Sequence, residues 1–143
     1  MADLSVTAAN VARVSGNVRH GTAGATITAG QVVYLDTAAG TWKLAVCDGT
    51  GAATAVTSGS GGVGIALHGA ASGQPLTIQY DGVINPGGTV TVGVIYVASA
   101  AAAGGIAPSA DLSAVDNDYV TILGVGTTTS RITLGMLASG VQA

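Results

Sequence analysis

Two histidines (His20 and His68), one cysteine (Cys47), Ser72 and seven aspartates are the residues with which this chain could do chemistry. A nucleophile, a base and an orienting carboxylate could be drawn from them, as in a hydrolytic triad. The G-x-S-x-G elbow that usually presents such a serine is missing, and Cys47 in "LAVCDG" ends an apolar run where a small buried thiol is common. His68 in "ALHGAASG" reads as a loop residue at a strand end. An active site needs titratable groups converging on a pocket, and this sequence offers few to converge.

Two other motifs carry a possible chemistry. "GSGGVG", Gly59 to Gly64, satisfies G-x-G-x-x-G, but phosphate binding needs a helix to follow, and here a strand follows. "DNDY" sets Asp116 close to Asp118, yet the spacing of a calcium loop and its closing acid are absent. Sugar recognition would want exposed aromatic faces, and only Trp42 in "GTWKLA" is a candidate. A lone tryptophan between glycine-rich loops is more often a core or interface anchor. No metal and no cofactor is expected, and the chain reads as a non-enzyme.

Composition narrows the scaffold that must hold these residues. Of 143 residues, only 8% are charged, where about a quarter is usual; phenylalanine and glutamate are missing altogether. Solvated helices rely on Glu, Lys, Gln and Arg, whereas Val, Ile, Thr and Tyr broken by glycine turns indicate strands. The fold class is all-β. With few bulky side chains to bury, the core is thin, and self-association would supply area that one chain lacks. A mean hydropathy of +0.58 leaves much neutral surface, which is easiest to explain if it faces a partner.

The net charge of −3 argues against nucleic acid. Arg13, Arg19 and His20 gather in the first twenty residues against Asp3 alone, so a weakly basic arm precedes an acidic body. "MADLSVTAAN" has neither the basic nor the apolar region of a secretory signal. The uncharged stretch 89–107 approaches the length of a membrane span, but it alternates like a strand and carries glycines, so a soluble chain is expected.

Residues 1–20 show no sustained period and are expected to form an extended N-terminal arm whose removal leaves the β body folded. Residues 21–143 then form a single β domain. Its expected strands are Gln31–Leu35, Trp42–Val46, Ala53–Val56, Val63–Leu67, Leu76–Tyr80, Val90–Val97, Tyr119–Val125 and Arg131–Leu137. Asp81-Gly82, flanked by Tyr80 and Val83, predicts a tight hairpin, and Ser109 in "SADLSAV" could cap a helical turn. The domain repeats itself in halves of about 21–84 and 85–143. Gly30 and Tyr34 lead to "GIAL" at Gly64, just as Gly93 and Tyr96 lead to "GVGT" at Gly124. Two similar β-units are expected to close on each other as a small barrel or sandwich.

In order along the chain, "HGTAGATITAGQVVYLD", "WKLA", "GIALHGAASGQPLTIQYDG", "GVIYVASAAAAGGIAP", "ADLS", "YVTILGVG" and "ASGV" resemble the capsid decoration (cement) proteins of tailed bacteriophages. The likeness runs from about Ser5 to the end; residues 47–62 match poorly, and Gly126 stands where alanine is expected. The resemblance implies a β-barrel-like or sandwich protein, commonly a homotrimer, made in the host cytoplasm. It would sit at three-fold or quasi-three-fold sites on the outer surface of the virion, joining subunits of the major capsid protein. Arg13, Arg19, His20 and Trp42 are the candidate contact residues. The alternative is a head-fibre or receptor-binding module, and a small hydrolase acting through His68 or His20 is a third reading.

Overall fold

In the computed structural model, residues 3–47, 62–112 and 118–142 are described. Among these described residues, the Val-, Ile- and Thr-rich stretches between glycines form eleven strands: β1 (Val11–Ser15), β2 (Val18–Thr22), β3 (Val32–Asp36), β4 (Thr41–Leu44), β5 (Val63–Ala66), β6 (Pro75–Gln79), β7 (Asp81–Pro86), β8 (Ile95–Ala98), β9 (Ile106–Pro108), β10 (Tyr119–Thr128) and β11 (Arg131–Gln142). One antiparallel sheet has the order β1-β7-β11-β10-β8-β9 and the other β2-β6-β5-β3-β4. They pack together as a sandwich-like all-β domain. Among the described residues no barrel closes: the five-stranded sheet curls until Ala23, just beyond β2, makes a single bridge to Trp42 in β4.

With β1 set aside, the two sheets share one strand order. Taken in chain order, β2 to β6 and β7 to β11 occupy the same places: first, fourth, fifth, third, second. The turn before the second strand of each set is built alike. Gly30 (φ +88) donates its N–H to Ala66 at 2.8 Å, and Gly93 (φ +83) donates to Gly126 at 2.8 Å. Gln31 donates to Thr28 and Val94 to Thr91, each at 3.3 Å. Both glycines need the left-handed region that other residues enter at a cost of about 1–2 kcal/mol.

This correspondence gives each sheet two comparable faces. Val33 lies opposite Gly64, and Tyr96 opposite Gly124. Ile78 pairs with Ala66, and Ile132 with Gly126. We call the face carrying Val33 and Ile78, or Tyr96 and Ile132, the front. In the five-stranded sheet the front holds its own cluster of Ile27, Val33, Trp42, Ala66, Leu76 and Ile78. Its back, with Val32, Tyr34, Val63 and Ile65, is buried against the front of the six-stranded sheet, which supplies Ile84, Tyr96, Ile106 and Ile132, with Val90 from the β7–β8 connection joining them. The units therefore stack front to back. The one-residue difference between Gly30–Tyr34 and Gly93–Tyr96 places the tyrosines on opposite faces of their own sheets, so that both enter this shared core.

The chain crosses between sheets at two adjacent points. Asp81-Gly82, expected as a hairpin tip, instead opens β7, which belongs to the other sheet from β6. Gly82 (φ +77) lies against Ser15 and Gly16, where the β1–β2 link makes the same crossing. Buried Gln79 ties the two together, its amide NH₂ lying 2.8 Å from the carbonyls of Ser15 and Asp81 and 3.0 Å from that of Val83. The hairpin signal was genuine turn chemistry, used here to change sheets.

Asp81 accepts hydrogen bonds from the backbone N–H of Asn17 and from its Nδ2, at 2.9 Å for the latter. These bonds hold its carboxyl below the ordinary value of 3.8. A depressed folded-state pKa means stability that is present above 3.8 and is lost as pH falls through the lower folded value. Asp81→Asn is accordingly expected to flatten part of the acid limb of a urea-midpoint against pH curve. Superimposable limbs in the two proteins would show that the crossover carboxylate contributes nothing.

The stretch read as an arm is woven into the body. β1 pairs with β7 and β2 with β6. Before β1, Leu4 donates its N–H to Ile106 and Thr7 to Gly87, and Asp3 accepts from Ser99 Oγ at 2.6 Å. Leu4 and Val11 pack on the inter-sheet core. Other expectations shift less. The strand expected from Val90 starts at Ile95, because Thr91–Val94 is the turn described above. Ser109–Asp111 is a single 3-10 turn without a side-chain cap. Stretch 89–107 carries β8 and the start of β9, and no helix of the described residues is long and apolar enough to cross a membrane. The strand expected at Ala53–Val56 lies outside the described residues.

Candidate contact surface

β2 carries Arg19 and His20 to opposite faces of the five-stranded sheet, as strand alternation requires. Arg19 pairs with Ile78 on the front. Its guanidinium carbon sits 5.1 Å from the centroid of the Trp42 ring. Trp42 itself is 2% exposed, pointing inward from β4 beneath that guanidinium. The pair joins two residues far apart in sequence because the sheet curls: Gly24 donates its N–H to the Trp42 carbonyl at 2.7 Å. Gly21 is required beneath the ring, since a Cβ there would collide with Nε1 and Cδ1 of Trp42. Arg19 thus closes the apolar front, with a cation–π contact of about 0.5–1 kcal/mol at an exposed site.

His20, also exposed, faces the other way and pairs with Thr77, its Nδ1 lying 3.3 Å from Thr77 Oγ1. The Thr77 backbone donates to His68 Nε2 at 3.1 Å, and His68 Nδ1 lies 2.9 Å from the Gly69 carbonyl. A ring that accepts at Nε2 carries its proton on Nδ1, so this geometry selects one neutral tautomer. Arg13 is on β1, the edge of the other sheet, and its Nη1 donates to the Gly16 carbonyl at 2.9 Å. Of the four expected contact residues, the structure brings Arg19 and Trp42 together, sets His20 on the reverse face of the same sheet, and leaves Arg13 on a different sheet. Trp42 offers no open aromatic face.

The parts of the nominal triad are dispersed. Cys47 is fully buried between the sheets, donates to Thr121 Oγ1 at 3.3 Å, and has its thiol pKa pushed up by burial. His20, His68 and Ser72 are exposed. Of "DNDY", Asp118 is buried and Asp116 is outside the described residues; among the described residues no three His, Cys, Asp or Glu side chains cluster as a metal would need. Gly62–Gly64, the described end of "GSGGVG", leads into β5 as expected, with no helix N-terminus to meet a phosphate.

Sequence reasoning passed over a different feature. The back of the six-stranded sheet exposes Ile95 (43%), Val125 (40%) and Leu137 (55%). Ile95 and Val125 are direct cross-strand partners, and Val125 pairs onward to Thr133. The alternation of "GVIYVA" marks one face of β8, but only the sheet order shows which strands extend it into a patch. No protein-family model matches the chain, and no curated protein matches it in sequence.

Proposed function

We propose that the chain is a structural decoration (cement) protein of a tailed-bacteriophage head, binding the outer shell as an oligomer and bridging major capsid subunits. The observation that carries this reading is the ordered series of segments from "HGTAGATITAGQVVYLD" to "ASGV". Its support from physical chemistry is a charge-poor body of two stacked β-units that leaves aliphatic side chains on an outer sheet face. Such a body supplies shape and adhesion, and an oligomer making several modest contacts would hold the shell through effective concentration. The barrel-like closure that the family resemblance implies belongs to this proposal as well, and would be completed by neighbouring copies. The head-fibre or receptor-binding alternative would need an open aromatic or polar platform, and Trp42 is capped by Arg19.

The test is titration of the purified protein onto undecorated heads of the phage that encodes it, with bound copies counted by sedimentation and densitometry. Saturation at the number of three-fold and quasi-three-fold sites is expected. Failure to bind, or a few copies at one vertex, would overturn the reading.

A further inference from the structure

The repeat makes one half of the protein a guide to the other. In the five-stranded sheet, the back face contains the cross-strand row Val32, Ile65, Gln79 and Val18. The corresponding row in the six-stranded sheet is Ile95, Val125, Thr133 and Val83. The first row is covered by a second β-unit: Val32, Ile65 and Gln79 are completely buried, the first two in the inter-sheet core. The second row keeps the same side-chain character, aliphatic at three positions and uncharged throughout, yet Ile95 and Val125 stand 43% and 40% exposed. In the parallel row beside it, Leu137 is exposed and Ile122 half-buried, while Val97 is already covered within the chain.

We infer that this back face of the six-stranded sheet is the surface by which one copy of the chain packs against a second copy. Inside the chain, the equivalent face is covered by another β-unit of the same sequence type, so the occupant that fits the exposed one is a β-unit of another copy. Uncharged aliphatic rows give no basis for steering an acidic, basic or nucleic-acid partner. They do suit a closely packed interface core, where charged residues are depleted. Sequence composition points the same way, because a core short of large side chains leaves area to be supplied by association. The inference rests on the reading above only for its expectation of self-association, and its test uses no capsid.

The test is the oligomeric state of the full chain by analytical ultracentrifugation, with Ile95→Asp and Val125→Asp beside Thr37→Asp, an exposed position in the β3–β4 turn. The unsubstituted protein and Thr37→Asp should sediment as the same oligomer. A carboxylate forced into a dry interface without a partner should weaken association about a hundredfold or more. Thr133→Arg, at a position already polar and exposed, is the second variant if an aspartate impairs folding. Dissociation with an unchanged far-ultraviolet β spectrum is the expected result. A monomeric unsubstituted protein, or an oligomer indifferent to Val125→Asp and Thr133→Arg, would overturn the inference. If that monomer still saturated heads, the capsid reading would stand without it.

Discussion

Deleting residues 1–20 should abolish the cooperative fold. The cut removes β1 entirely and most of β2, which uncovers the ladder edges of β7 and β6. It also takes Leu4 and Val11 from the inter-sheet core and Ser15 from the Gln79 amide. Two partly buried aliphatic side chains contribute on the order of 3 kcal/mol together. The lost strand pairing comes on top of that. A domain of this size has a total stability of about 5–15 kcal/mol. Urea denaturation followed by circular dichroism should therefore show no cooperative transition in the truncated chain, or aggregation through the opened edges. A truncated protein with the full-length urea midpoint would mean that the first twenty residues are dispensable, as an arm would be.

Gly82→Ala should be strongly destabilising, although it adds a single methyl group. Gly82 has φ +77, and a Cβ there would run into the Ser15 carbonyl and the Gly16 Cα. Both obstacles are backbone, so no side-chain rotation relieves them. Gly16 is itself at φ +106 and equally hemmed in by Asp81 and Gly82, so neither strand can retreat. The left-handed conformation costs alanine about 1–2 kcal/mol and the overpacking about 1–3 more. Gly40→Ala and Gly73→Ala separate the two effects, because those glycines have φ +70 and +88 with nothing within 4 Å of the added carbon. Thermal unfolding should show Gly82→Ala lowered by roughly 10 °C and the controls by only a few. Equal losses in all three would mean that the crossover yields and that conformational strain alone matters.

Sequence periodicity reached the strands whose surroundings are simple. β6 alternates Leu76 and Ile78 against Thr77 and Gln79, so its register and buried face were legible in the order of its residues. β11 was found for the same reason, whereas β3, β5 and β10 were found as short valine- and isoleucine-rich runs apolar on both faces, all within a few residues at their ends. β1 and β2 were not, because edge strands with exposure patterns of one half-buried residue followed by mostly exposed ones show no buried face to alternate with. β7 hid behind Asp81-Gly82 at its start and Asn85-Pro86 at its end, all four of them turn-forming residues. β9 has only three residues, too few to carry a period.

The contact residues were less legible than the strands. Nothing in the spacing of Arg19 and Trp42 announces that one covers the other; the curl of the five-stranded sheet decides it. Trp42 looked like the one aromatic available to a partner and is instead the largest member of a closed cluster. The row at Ile95 and Val125 was readable as apolar but not as outward-facing, since that depends on which face the first unit covers.

Arg19 occupies the place in the first unit that Ile84 takes in the second: each pairs with the matching isoleucine, Ile78 or Ile132. That exchange bears on how assembly can end. A front-to-back contact is head-to-tail, and such a contact repeated from molecule to molecule grows into an unlimited fibre unless rotation closes it. In this chain the leading face of the stack carries the exposed Arg19 guanidinium where an incoming aliphatic row would have to settle, and covering it would strip water from the charge. The trailing face keeps its aliphatic row. The two ends of the molecule are thereby mismatched to each other, which disfavours the head-to-tail contact itself, in open fibre and closed ring alike, and leaves a pairing of like trailing faces as the self-contact that the guanidinium does not obstruct.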